Sequence, residues 1–196
     1  MKGRVCVVGG GVIGSLYAAH LAAVAEVWVL TRRAEHARAL EDEGLRVSGK
    51  HDFTASLRAT ADPTELPELD LAILATKATQ LDAAAAGLAG RAPGATVMTI
   101  QNGLGAEEIV RRHGDWQIVS AVTFMSGDRH GDTHVEYELD TATWLGPYEL
   151  EIFSDDGTFG SPYADSYWRE EPADLVRRGR EAFLRQWERA AVETTA

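Results

Sequence analysis

Val5-Cys6-Val7-Val8-Gly9-Gly10-Gly11-Val12-Ile13-Gly14 is the stretch that decides the fold. Its first four residues are apolar and mostly β-branched, which suits a buried strand. Three glycines break the run, and from Val12 an apolar, Ala-rich sequence carries a helical pattern over residues 12–24. The spacing Gly9-x-Gly11-x-x-Gly14 is the strand-turn-helix pattern that cradles the pyrophosphate of a dinucleotide. Gly9 permits the tight turn, Gly11 lets the backbone approach the phosphates, and Gly14 lets the helix lie close on the strand. The negative charge is met by unpaired N–H groups at the helix start, so Gly10, Val12 and Ile13 join the three glycines as candidate cofactor ligands. The bland alternative is a glycine-rich turn without a ligand. The context favours the dinucleotide, because a strand pattern precedes the turn, a helix pattern follows it, and a second strand pattern arrives at residues 26–30.

The residues after that second strand decide which dinucleotide. A fold that prefers NAD usually places an acidic residue there to hold the ribose 2′-hydroxyl. This chain has Thr31-Arg32-Arg33 instead, and two guanidiniums with a hydroxyl suit the 2′-phosphate of NADP. The competing reading of the two arginines is a solvated helix start.

Working onward, residues 34–43 read as a helix closed by Gly44. Residues 45–48 and 52–59 read as two alternating runs of a hairpin or meander inserted into the fold. A Pro-marked loop over 62–67 leads to an apolar strand at 70–75, then Thr76-Lys77 and an Ala-rich helix over 79–88. A strand at 95–100 is followed by Gln101-Asn102-Gly103-Leu104-Gly105, a helix over 106–112 and a strand over 116–124. Residues 134–139 and 143–145 read as antiparallel additions at the sheet edge. The fold class expected is α/β: a Rossmann-type, doubly wound, mainly parallel sheet with antiparallel edge additions and a C-terminal helix. Ligands of such sheets bind at the carboxyl ends of the strands. The Gly9–Gly14 turn, Thr31 to Arg33, Thr76-Lys77 and Gln101 onward therefore share one rim.

A length of 196 residues suits one sizeable core with an appendage. The division expected is a dinucleotide-binding domain over 1–148, then an aromatic-rich loop and an amphipathic helix over 149–196. Phe153, Phe159, Tyr163, Tyr167 and Trp168 suit a pocket, an interface or a sheet-edge cover equally. Hydrophobic and charged fractions of 45% and 25% are those of ordinary globular chains. No apolar stretch approaches the ~20 residues of a spanning helix, and a strand starting by about residue 4 leaves no room for a leader, so a cytoplasmic location is expected. The net charge of −11 disfavours nucleic acid and anionic membranes as partners. The lone cysteine, Cys6, falls inside the first strand and is read as buried and unreactive. No metal site is expected.

Four stretches together resemble the ketopantoate reductase (2-dehydropantoate 2-reductase) family: residues 7–14, then Arg32, then Thr76-Lys77-Ala78-Thr79-Gln80, then Gln101-Asn102-Gly103-Leu104-Gly105. The resemblance spans about residues 1–145, the family's N-terminal cofactor domain. It implies that Lys77 and Asn102 reach toward the nicotinamide ribose and the substrate, with Thr76 and Gln80 beside them, and that Arg32 holds the 2′-phosphate of NADP. Composition adds weight to Lys77, because only three of the 19 basic residues are lysines and the other two are Lys2 and Lys50. In the family a C-terminal helical domain supplies a catalytic lysine. Residues 187–193 resemble the first helix of that domain, with Arg189 in the lysine's place. The implied function is an NADP(H)-dependent reductase of a small 2-keto acid or related ketone, a homodimer through the C-terminal helix being one arrangement. A non-redox biosynthetic enzyme reusing the cleft (cyclase, lyase or isomerase), or a cofactor-binding module without catalysis, are the alternatives.

Overall fold

In a computed structural model, residues 3–102 and 104–148 are described. The Gly-rich turn joins β1 (Arg4–Val8) to α1 (Val12–Leu21), and β2 (Glu26–Leu30) and α2 (Ala34–Glu43) follow. Then come β3 (Leu45–Gly49), β4 (Phe53–Ala55), β5 (Arg58–Thr60), β6 (Leu71–Leu74), α3 (Leu81–Leu88), β7 (Thr96–Thr99), α4 (Ala106–Arg111) and β8 (Gln117–Thr123). β9 (Ser126–Arg129), β10 (His134–Leu139) and β11 (Thr143–Pro147) complete the set.

The main sheet has the order β11-β8-β7-β6-β1-β2-β5, parallel except for β11. Chain order reverses beside β1, which pairs with β2 on one side and β6 on the other. That reversal opens a crevice at the carboxyl end of β1, where the Gly-rich turn sits. The expected α/β class with a mainly parallel sheet is the one observed.

β1 feeds two cores because side chains alternate along a strand. Val5 and Val7 pack with Leu16, Val29 and Leu40 on the face covered by α1 and α2. Cys6 and Val8 pack with Leu74, Leu81, Leu88 and Val97 on the face covered by α3 and α4. Cys6 is 0% exposed, and burial pushes its thiol up to about 12, so it stays a neutral, inert apolar group.

Two of the pairings differ from the sequence expectation. Residues 52–59 are not one strand: β4 turns back antiparallel on β3, while β5 crosses to the main sheet and pairs parallel with β2. β10 is not an edge addition to the main sheet. It pairs parallel with β3 and antiparallel with β9, forming a second sheet of order β4-β3-β10-β9. The second sheet is what α1 requires. That helix is apolar on nearly all sides, and a helix of that kind must be covered on two faces. Val47, Val135 and Tyr137 of the second sheet join the same core as Leu16, Ala18 and Ala19 of α1. β11 does add antiparallel to β8. α1 stops at Leu21 rather than at residue 24, because the chain must turn back to begin β2, where Glu26 N–H bonds Gly3 O at 2.9 Å. The expected C-terminal helix lies outside the described residues.

Gly14 fixes how closely α1 lies on β1. A Cβ there would stand 2.0 Å from the carbonyl oxygen of Gly9 and 3.0 Å from the Ala75 Cβ. For Gly14→Ala, overpacking of about 3 kcal/mol outweighs the ~1 kcal/mol that alanine gains in helix propensity. Calorimetry should then show a Tm lower by roughly 4–8 °C.

Candidate functional site

The three motif glycines meet three different local demands. Gly9 has φ +111°, where L side chains are strained, and a Cβ would come within 3.1 Å of the Ala75 carbonyl. Gly14 is closed by the contact just described. Gly11 is open: its backbone is extended (φ −79°, ψ −174°), and a Cβ placed on it meets nothing within 4 Å. The first bond inside α1 runs from Ser15 N–H to Gly11 O at 2.8 Å, so the N–H groups of Val12, Ile13 and Gly14 have no partner inside the helix. No side chain caps them. An open surface over a row of free N–H groups at a helix start fits a pyrophosphate.

Lys77 and Asn102 leave from adjacent strands. β6 and β7 are paired through Leu74↔Thr99, and each candidate lies three residues past its end of that pair. Both are exposed. Lys77 caps a short 3-10 turn, Ala78–Gln80, whose last residue, half-buried Gln80, precedes α3. Gln101 ties the two exits together: its Nε2 donates to Leu74 O at 2.6 Å and to Thr76 O at 3.0 Å. Glu107, 8% exposed, anchors the other end of the Asn102 loop. Its Oε1 accepts from Thr99 Oγ1 at 2.8 Å and from Ser120 Oγ at 2.6 Å, and its place in the first turn of α4 suits a carboxylate. Thr76 Oγ1 and Gln101 Oε1 are buried without a hydrogen-bond partner. Thr76 also touches the glycine turn, since its Cγ2 is 3.2 Å from where a Gly9 Cβ would be. A buried polar atom left unpaired in a residue that lines the glycine turn is a condition a polar ligand relieves.

At the end of β2 the three candidates separate. Thr31 is buried, and its hydroxyl hydrogen goes to Arg33 O at 2.9 Å, leaving it only acceptor lone pairs for a ligand. Arg32 is exposed and makes no hydrogen bond or ion pair among the described residues. Arg33 donates from Nη2 to Asp132 Oδ1 at 2.6 Å, and Arg129 bonds the same oxygen. His36, in the first turn of α2, is 4% exposed, with its Cε1 2.6 Å from where a Gly10 Cβ would stand. Burial holds its imidazole below the ordinary value, Arg129 pushing the same way and Asp132 opposing. The guanidinium of Arg33 holds Asp132 below the usual carboxylate range. Sequence reasoning assigned no role to His36, Arg129 or Asp132, which come from a different sheet and helix. Nor did it assign one to Gln101, although the motif containing that residue was in view. Arg189 lies outside the described residues.

The family model of ketopantoate reductase PanE/ApbA matches residues 5–149. This chain belongs to the ketopantoate reductase PanE/ApbA family. It is 29% identical over 154 residues to the 2-dehydropantoate 2-reductase of Bacillus subtilis, covering 78% of this chain and 49% of that protein. The fold matches a PanE/ApbA-family ketopantoate reductase from Ralstonia eutropha with a TM-score of 0.68 at 26% identity, over 72% of this chain and 48% of that one. It also matches a D-mandelate dehydrogenase solved with NADH, with a TM-score of 0.61 at 25% identity, over 74% and 46% of the two chains. The chain spans about half the length of the family members it matches. Among the described residues no helix is long and apolar enough to cross a membrane.

Gly11 allows the pyrophosphate fit to be tested apart from folding. Because its backbone angles are open to any residue and a Cβ has free space, Gly11→Val should melt within about 2 °C of the wild type, far less than a core substitution shifts a chain of this size. Binding of a reduced nicotinamide dinucleotide, followed by its fluorescence, should weaken at least about tenfold, since the added methyls occupy the approach of the pyrophosphate.

Proposed function

We propose that this chain is an NADP(H)-dependent reductase of ketopantoate reductase type, acting on a small 2-keto acid or related ketone. Residues 1–148 are its dinucleotide-binding domain, and 149–196 are a remnant of the family's helical domain or a replacement for it. The observation that carries the reading is the convergence on one rim of an open glycine cradle, an unpaired Arg32, and Lys77 and Asn102 at neighbouring strand exits. When bound, the nicotinamide supplies a hydride. The N–H groups of Val12, Ile13 and Gly14 hold the pyrophosphate. Arg32 pairs with the 2′-phosphate, and Lys77 sets a compact positive charge against the keto oxygen as it gains negative charge. Asn102, with a donor and an acceptor on one amide, orients the substrate or the adjoining ribose. Gln101 is a positioning residue that keeps both exits in register.

NADPH should bind more tightly than NADH. Replacing Arg32 and Arg33 together by alanine should erase the preference, because charge-assisted hydrogen bonds contribute about 1.5–3 kcal/mol each. Fluorescence titration with both cofactors checks this, and equal affinity in the unmodified chain would overturn it.

Lys77→Ala should leave Tm unchanged, since the Lys77 side chain is exposed and makes no hydrogen bond or ion pair among the described residues, its only bond being the backbone one that its carbonyl accepts from Gln80 N–H at 2.8 Å. It should also depress consumption of NADPH with ketopantoate by about 100-fold, the usual scale for a lost electrostatic stabiliser. Absolute turnover of the 196-residue chain should fall below about 1 per second, the low end of ordinary enzymes. Arg189 stands where the family has a lysine, and an arginine, which stays protonated in proteins, steadies an anion without surrendering a proton to it. Turnover in the ordinary range would assign proton delivery to another group.

A further inference from the structure

The hairpin of β9 and β10 belongs to the second sheet, yet it lies against elements that flank the glycine turn, the start of α1 and the end of β2. Gly127 of β9 faces the start of α1, where a Cβ would stand 3.3 Å from Val12 Cγ1. Asp132, in the turn itself, binds Arg33 just past the end of β2. His36 has its ring against Gly10, and burial holds its imidazole below the ordinary value, Arg129 and Arg33 pushing the same way and Asp132 opposing. Nε2 of that buried ring has no hydrogen-bond partner and is on the side nearer Gly10. In a fold of this kind the adenosine ribose lies between the first glycines and the end of the second strand. These residues border that place.

We propose that this turn is the outer wall of the 2′-phosphate subsite, with Arg129 a phosphate ligand beside Arg32 and Arg33, and Asp132 the resident counter-ion that orients two of the three guanidiniums. The inference rests on the dinucleotide reading above. Its physical basis is the charge balance. Three guanidiniums against one carboxylate leave about two positive charges, which matches a phosphate monoester near neutral pH. Both arginine bonds fall on the single oxygen Oδ1 of Asp132, so the two Nη2 groups converge on one point. A phosphate oxygen needs the same convergence. Asp132 keeps these side chains ordered when the phosphate is absent, and its negative charge weakens the hold on that phosphate. The carboxylate that sequence reading did not find at the end of β2 is thus supplied from another element. It meets the arginines and lowers the discrimination between the two cofactors.

The test is the ratio of NADH to NADPH dissociation constants in the full chain, read from nicotinamide fluorescence. Arg129→Ala should weaken NADPH about tenfold and NADH less than about twofold, as loss of one charge-assisted contact to the phosphate requires. Asp132→Asn keeps the side-chain shape and an acceptor oxygen but removes the charge, and should raise the preference for NADPH about threefold or more. A ratio unchanged by Arg129→Ala overturns its role as a ligand, and a ratio unchanged or lowered by Asp132→Asn overturns the counter-ion role. If Arg32→Ala abolishes the preference while both of these variants behave as wild type, the cofactor reading stands and this one falls. A wild-type chain that does not discriminate between the cofactors removes both.

Discussion

The contact on which the rest of this structure depends is the approach of α1 to the turn it leaves, where Gly14 passes the carbonyl of Gly9 with no room for a methyl group. It sets the depth of α1 on the main sheet. With α1 that deep, Leu16, Ala18 and Ala19 are buried, and its outer face is left as the floor for a second sheet. Tyr17 and His20 fasten that arrangement at the surface, through 2.7 Å contacts from Tyr17 Oη to Thr143 Oγ1 and from His20 Nε2 to His51 Nδ1. The same approach aims the free N–H groups of the helix start into the crevice beside β1. Packing and the proposed phosphate contact therefore meet in one short segment, with Gly9 and Gly14 tied to packing and Gly11 left open.

At the carboxyl ends of the strands, order comes from polar groups rather than apolar ones. The loop carrying Asn102 begins at Gln101, bonded to two carbonyls of the neighbouring exit, and is followed by Glu107, bonded to β7 and β8. A buried carboxylate is costly unless its lone pairs are filled, and here two hydroxyls and a helix start offset that cost. Exposed Lys77 and Asn102 thus stand on a fixed base while their own side chains remain available.

The parallel sheet was legible because its strands are short apolar runs punctuated by glycine, and because helix and strand periods differ. β2 and α2 begin and end where the patterns of residues 26–30 and 34–43 place them. The second sheet was not legible for a reason equally physical. Alternation along residues 52–59 or 134–139 says that one face is buried, and it is silent about which strand lies alongside. Only the need to cover α1 on both sides chooses the partner, and that need is tertiary. The site divides in the same way. Lys77 and Asn102 could be found because they follow recognisable strand ends. Asp132 meets Arg33 from 99 residues away, and no local pattern carries such information.

The two kinds of group in the proposed site differ in what a substitution costs. The proposed pyrophosphate cradle is made of backbone and depends on side chains that are absent, so changes there either crowd the turn, as at Gly9 and Gly14, or fill the space such a ligand would need, as at Gly11. The groups proposed to distinguish one dinucleotide from another are exposed or half-exposed side chains at 32, 33, 129 and 132, outside both cores. Surface positions of this kind carry little of the folding energy. Charges can be exchanged among them without disturbing the sheet. In a chain of net charge −11, attraction for an anionic ligand has to be local, within a Debye length of about 8–10 Å of such groups.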